Sequence, residues 1–117
     1  MENELIMQCA TYLRNQGFEV FVEKEVVEGH SQYGRSDIIA RRNDIIYAVE
    51  CKFVRGDPAR LRRVKQQALI YASLIKCKLN LFTKAYIFTE DGLQFLQVVE
   101  SGDAERRASD FLRRVGL

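Results

Sequence analysis

Apolar residues at the start of the chain recur at helical spacing. Leu5, Ile6, Cys9, Ala10, Tyr12 and Leu13 form one broad stripe over residues 2–15. Asn15-Gln16-Gly17 ends that helix, with Gly17 suited to the left-handed residue after the last turn. From Phe18 to about Val27 the chain turns β-branched and aromatic with partial alternation, which predicts a strand. Glu28 to Arg35 is a polar, glycine-containing loop. Ser36–Arg41 and Ile45–Val54 then read as two strands of one hairpin around Asn43-Asp44, residues that tolerate positive φ. Both are apolar on both faces, as strands covered on two sides are.

Asp57-Pro58 opens a long helix, an N-cap followed by a proline at the first helical position. The helix is expected to run to about Lys78 with Leu61, Val64, Ala68, Tyr71 and Ile75 along one side. Lys84–Thr89 and Leu93–Val99 predict another strand pair around Glu90-Asp91-Gly92. Asp103–Val115 predicts a closing helix that buries Ala104, Ala108, Phe111, Leu112 and Val115. The order αβββαββα predicts an α/β sandwich with a mixed central sheet.

The chain's 117 residues suit a single domain over 1–117 that buries a core without disulfides or structural metal. Its composition, 47% hydrophobic and 29% charged, is that of a soluble globular protein. No apolar run approaches the roughly 20 residues that span a bilayer. The first residues lack the basic and unbroken apolar segments of a signal peptide. The expectation is an intracellular, soluble protein with no membrane partner; cytoplasm and nucleus are not distinguished. Cys9, Cys51 and Cys77 form no CxxC or Cys/His metal pattern and are expected as reduced, mostly buried thiols.

A net charge of +2 does not announce nucleic acid, but the distribution is uneven. Arg41-Arg42, Arg60-Leu-Arg62-Arg63-Val-Lys65, Arg106-Arg107 and Arg113-Arg114 are basic clusters. Each is a candidate for phosphate contact and equally for a solvated face. Arg60, Arg62, Arg63 and Lys65 crowd the first turns of the long helix, whose positive dipole end also favours phosphate.

The chemistry-bearing stretch is Gly34-Arg-Ser-Asp37-Ile-Ile-Ala40, then Ile45-Ile-Tyr-Ala-Val-Glu50-Cys-Lys52. Side chains alternate along a strand, so Glu50 and Lys52 share a face. With Asn43-Asp44 as the turn, Arg42 faces Ile45, and counting back sets Asp37 opposite Glu50. Opposed Cβ atoms lie about 4.5–5.5 Å apart. Two carboxylates side by side repel, and charged groups within an apolar sheet lose hydration. A divalent cation resolves that cost, and Mg²⁺ takes one or two carboxylates together with waters and substrate phosphate. A surface salt bridge between Lys52 and either acid is the plainer alternative. The apolar setting and the Asp on the paired strand set it behind the metal reading.

This pattern resembles the PD-(D/E)xK, restriction-endonuclease-like nuclease superfamily over roughly residues 2–88, nearest in look to small Holliday-junction resolvases and virus-type replication-repair nucleases. The resemblance implies an αβββαβ core with a mixed central sheet flanked by helices. It also implies one or two Mg²⁺ ions, with Mn²⁺ as a substitute, and phosphodiester hydrolysis. On it Asp37 and Glu50 bind metal, the Cys51 carbonyl joins them, and Lys52 is the catalytic lysine. Gln67-Ala-Leu-Ile-Tyr71 looks like the QxxxY motif of several branches, adding Gln67 and Tyr71 to the catalytic set. Glu4 is the candidate for the metal-facing glutamate of the first helix, with Glu2 as the fallback. Ser31 is the candidate for a resolvase loop serine. Ser36 stands where the motif's proline would be. Relatives of this size often act as homodimers. His30, Tyr33 and Arg35, in the loop leading into Asp37, are candidates for DNA contact.

The expected function is a Mg²⁺-dependent nuclease acting on DNA, a structure-selective endonuclease, since the chain leaves little room for a separate sequence-reading domain. The alternative is an inactive nucleic-acid-binding or assembly module of the same fold.

Overall fold

The computed structural model describes residues 2–25, 35–79, 81–96 and 113, with side chains for 3–22, 36–76, 81–94 and 113. The elements are α1 (Glu2–Asn15), β1 (Glu19–Glu25), β2 (Arg35–Arg42), β3 (Ile45–Cys51), α2 (Pro58–Leu79), β4 (Thr83–Thr89) and β5 (Gly92–Leu96).

Local chemistry sets the boundaries. Gly17 takes φ 90°. The Phe18 N–H reaches the Leu13 carbonyl and the Gly17 N–H the Arg14 carbonyl, both at 3.0 Å. That pair of bonds is the Schellman closure, completed by apolar packing of Phe18 and Leu13 in one cluster. Asn43 and Asp44 adopt φ 53° and 66°. The β2–β3 connection is therefore a two-residue turn whose twist matches the strands, and Arg42 pairs with Ile45. Asp57 caps α2, its Oδ1 accepting from the N–H groups of Ala59 (3.0 Å) and Arg60 (3.3 Å).

The described strands form one sheet in the order β1-β2-β3-β4-β5. β3 and β4 run parallel and the other pairs antiparallel. A parallel pair needs a crossover, which α2 supplies. β2 and β3 lie inside the sheet; α1 packs on one face of both, and α2 covers the other face of β3, as its apolar sequence requires.

The two faces follow strand alternation. Ile46, Ala48, Ala85 and Ile87 pack with Val64, Ala68, Leu69, Ala72, Leu74 and Ile75 of α2. Ile38, Ala40, Tyr47, Val49 and Cys51 pack with Leu5, Ile6, Cys9, Ala10 and Leu13 of α1. Fully burying a side chain such as Leu13 or Ile38 stabilises by about 1.5–3 kcal/mol. An aromatic file, Phe18 edge-on to Tyr47 (5.0 Å) and Tyr47 stacked on Tyr86 (4.8 Å), backs the α1 side.

Some boundaries differ from expectation. Tyr12, placed on the buried stripe of α1, is 46% exposed, because the stripe is narrower than the apolar letters suggest. β3 stops at Cys51, not Val54, because the chain turns away: Val54 accepts from the Asp57 N–H, and Arg55 and Gly56 take φ 51° and 72°. β1 begins at Glu19, after the closure of α1 has used Phe18. Of the expected helix over 103–115 only Arg113 is described, as helical and exposed; the rest of it, and the ends of the first and last strands over 26–27 and 97–99, lie outside the described residues. Among the described residues no helix is long and apolar enough to cross a membrane.

Candidate active site

The β2–β3 ladder runs residue by residue from Arg42 opposite Ile45 to Ile38 opposite Val49. One step further along the same register sets Asp37 beside Glu50. The Cys51 N–H donates to Asp37 Oδ2 at 2.8 Å, fixing that carboxylate on the edge of β3. Parity along β3 puts Glu50 and Lys52 on the face of Ile46 and Ala48, the α2 side. Asp37 shares that face with Ile39, which also packs against the α2 cluster.

Ser36, in place of the motif's proline, is fully buried. Its hydroxyl points between the carbonyls of Ile38 (2.9 Å) and Val49 (3.4 Å). It thus ties β2 to β3 next to Asp37 with a contact that proline lacks.

Glu50 is 2% exposed. Among the described residues its Oε1 has no hydrogen-bond partner. Burial foremost, then the negative charge of Asp37, pushes its carboxyl up to about 9; the Asp37 backbone N–H and the Lys52 charge act in the opposite direction. A buried, unsatisfied acid of this kind is costly, and functional centres are where such costs concentrate. The donor set suits a hard cation: two carboxylates, one with a buried oxygen that no described residue satisfies. Among the described residues no group of three or more His, Cys, Asp or Glu side chains is gathered for a metal. A divalent ion here would thus rest on Asp37 and Glu50, with remaining ligands from main chain, water or substrate.

On α2, Gln67 Nε2 donates to the Tyr71 hydroxyl at 2.8 Å, one helical turn apart. Tyr71 is buried, and its pKa is raised chiefly by that burial. Gln67 and Lys52 lower it, whereas the charges of Glu50 and Asp37 raise it. Tyr71 is therefore within electrostatic reach of Glu50, Asp37 and Lys52, and Gln67 holds its hydroxyl.

Glu4 is exposed and lines an outer groove of α1 with Met7, Gln8, Thr11, Tyr12 and Asn15. That helix packs on the opposite face of the sheet from the α2 cluster that Asp37 and Glu50 face. The Glu2 side chain lies outside the described residues, as do His30, Ser31, Tyr33 and the side chain of Arg35. The Cys51 thiol is buried against Cys9, which with burial pushes its pKa up. Only the Cys51 carbonyl remains a candidate ligand. The Cys77 side chain is also outside the described residues.

Arg60, Arg62 and Arg63 are exposed and Lys65 is half-buried on the first turns of α2. The positive end of that helix is not an open phosphate seat, because the Asp57 carboxylate already occupies two of its N–H groups. The arginines would have to act through their own charges.

Glu90 was missed by sequence reasoning. Its Oε1 and Oε2 each lie 3.1 Å from the Val54 N–H, and Oε1 accepts the Arg55 N–H at 2.7 Å. The signal lay in the parallel register: Cys51 pairs with Phe88, so two residues on, Glu90 comes level with Phe53. The turn letters Glu90-Asp91-Gly92 hid it.

The sequence matches the archaeal Holliday junction resolvase (Hjc) family over residues 2–109. A UPF0102 protein of Campylobacter fetus subsp. fetus is 39% identical over 61 residues, covering 52% of this chain and 51% of that protein. A UPF0102 protein of Campylobacter jejuni subsp. jejuni is 34% identical over 66 residues, covering 54% and 55%. The chain thus spans about half the length of these relatives. A crystal structure of AF1548, a protein of unknown function, is similar with TM-score 0.49 and 22% identity, over 95% of this chain and 53% of that one.

Proposed function

The chain belongs to the archaeal Holliday junction resolvase family, within the restriction-endonuclease-like fold, and from that premise we propose that it is a divalent-metal-dependent endonuclease that hydrolyses phosphodiester bonds in branched DNA. The observation that carries the reading is the buried Glu50 beside Asp37, with an oxygen that no described residue satisfies. Mg²⁺ is the proposed cofactor, with Mn²⁺ as a substitute.

A bound Mg²⁺ supplies positive charge that offsets the carboxylate pair and polarises a phosphate oxygen. The chain's own residues do the rest. The Cys51 N–H orients Asp37. Burial between α2 and the sheet holds Glu50 in place and dry. Lys52, on the same face, stabilises charge developing on the phosphate and orients the attacking water. Gln67 and Tyr71 steady the backbone of the bound strand from α2. Arg60, Arg62, Arg63 and Lys65 hold flanking phosphates, and His30, Tyr33 and Arg35 contact DNA near Asp37. Two such centres in a homodimer would cut the two strands of a four-way junction, and a closed two-fold pair is the commonest assembly.

One observation favours the second reading, an inactive DNA-binding module: Glu4, the candidate acid of the first helix, is exposed and lines an outer groove of α1. The same experiment separates the two. Purified protein is incubated with linear, flapped and four-way DNA in Mg²⁺, Mn²⁺ or EDTA. Cleavage of branched DNA that EDTA abolishes is expected; binding without cleavage in either metal would establish the module instead.

A further inference from the structure

We infer that Glu90 is a positioning residue for this centre: its carboxylate grips the backbone just beyond Lys52 and so fixes where the lysine leaves the sheet. The inference rests on the nuclease reading above and extends it to a residue outside the motif.

Lys52 is the first residue past the end of β3. Its N–H still donates to the Phe88 carbonyl at 3.1 Å, so its backbone is held from β4 on one side. Beyond it the chain must leave the sheet and enter α2, through Arg55 and Gly56 in left-handed conformations. For a non-glycine residue such as Arg55 that conformation is unfavourable and persists only where its surroundings enforce it. Glu90 is what enforces it here. Its carboxylate receives both successive N–H groups, those of Val54 and Arg55. Consecutive N–H groups converging on one anion make a compact anion seat, and in this fold the anion is internal. The Arg55 N–H is the main cause that lowers the Glu90 pKa, so the carboxylate stays ionised while it grips.

Glu90 is itself anchored. It follows Thr89, a buried residue whose Oγ1 accepts the Asp91 N–H at 3.1 Å. Val54, just past the lysine, is buried in the α2 cluster. Lys52 is thus bracketed by two attachments, its own N–H to Phe88 of β4 and the next residues' N–H groups to Glu90, just past the end of β4. Cutting the second attachment leaves the strand and core intact but releases the segment that aims the ammonium. Because Glu90 is exposed, its replacement opens no cavity.

The test compares wild type, Glu90→Ala and Glu90→Gln in three measurements: kcat and KM on a four-way junction with Mg²⁺, DNA affinity, and amide hydrogen exchange at Val54 and Arg55. Misplacing a catalytic group by about 1 Å costs on the order of 10²-fold, and Glu90→Ala is expected to lower kcat toward that extent. KM and DNA affinity should stay as in wild type while both amides exchange faster. Glu90→Gln keeps an oxygen acceptor at the same reach and should recover part of kcat. Wild-type kcat in Glu90→Ala, a loss confined to KM, or unchanged amide exchange would overturn the inference while leaving the nuclease reading standing. A loss of kcat that only follows the unfolded fraction, with no recovery in Glu90→Gln, would overturn it too. A wild type that cuts no DNA overturns the nuclease reading and takes the catalytic part of this inference with it.

Discussion

β3 presents alternate residues to two faces, and the faces end differently. On the α1 side Tyr47, Val49 and Cys51 stay apolar to the last residue, sealed by Cys9 and Leu13. On the α2 side Ile46 and Ala48 give way to Glu50 and then Lys52. The first face gains stability with every residue. The second sets an ionisable group where the sheet is already dry, and Glu50 carries the cost as an oxygen that no described residue satisfies and a raised pKa. Folding alone would favour an apolar residue at that position, since an unpaired buried polar group costs about 1–3 kcal/mol. The contrast teaches where to look for function: at the step where one face of a central strand stops obeying the rule that its other face keeps.

Substitutions on the two faces should therefore fail in different ways. The largest effect is expected from Lys52→Ala. Loss of one preorganised charge at a reacting phosphate is worth roughly 10²–10³ in rate. DNA affinity should barely change, because many other charges contact an extended anion. Single-turnover cleavage and filter binding on the same preparation check both halves. On the opposite face Leu13→Ala should remove about 2–5 kcal/mol of stability. Urea denaturation reads that loss, and cleavage per folded molecule should be unaltered. An equal loss of rate in Leu13→Ala would erase the distinction between the faces.

Glu50 sharpens the comparison through pH. Its carboxyl titrates near 4.5 when unfolded and about 9 when folded. Below the lower value both states are protonated and the group imposes no penalty. Above it the unfolded state releases its proton first, so metal-free stability falls as pH rises from about 4.5 and levels off above about 9. Glu50→Gln should flatten that slope and raise metal-free stability at neutral pH. Thermal melts in EDTA across this range check it; a slope that survives in Glu50→Gln would assign it to another group. The smallest effect belongs to the solvated surface. Replacing Arg60, Arg62, Arg63 and Lys65 together should flatten the salt dependence of DNA binding by roughly one unit of log–log slope per lost phosphate contact. An unchanged slope would leave these residues as solvent-facing charges.

Much of this was legible in the sequence because local chemistry decided it. Gly17 closes α1, Asn43-Asp44 fixes the hairpin register, and Asp57-Pro58 starts α2; each acts over a few residues. The register then carries Asp37 to Glu50 by counting alone. What was illegible depended on contacts across the sheet. Glu90 meets Val54 and Arg55 only because α2 returns the chain parallel to β3 in one register, which no local pattern states. Tyr12 was misjudged because an aromatic at the margin of a helical stripe is placed by the width of the surface it meets. The spacing of α1 likewise does not reveal on which face of the sheet the helix lies.

The most direct measurement of the central claim is Mn²⁺ binding, by electron paramagnetic resonance, to wild type and Asp37→Asn, alongside cleavage of a four-way junction in the same buffer. An amide is a poor ligand for a hard cation, so Asp37→Asn should lose Mn²⁺ binding and cleavage together while still binding DNA. Wild type that binds no Mn²⁺ with or without DNA, or Asp37→Asn that binds and cuts as wild type does, would contradict a metal centre built on Asp37 and Glu50.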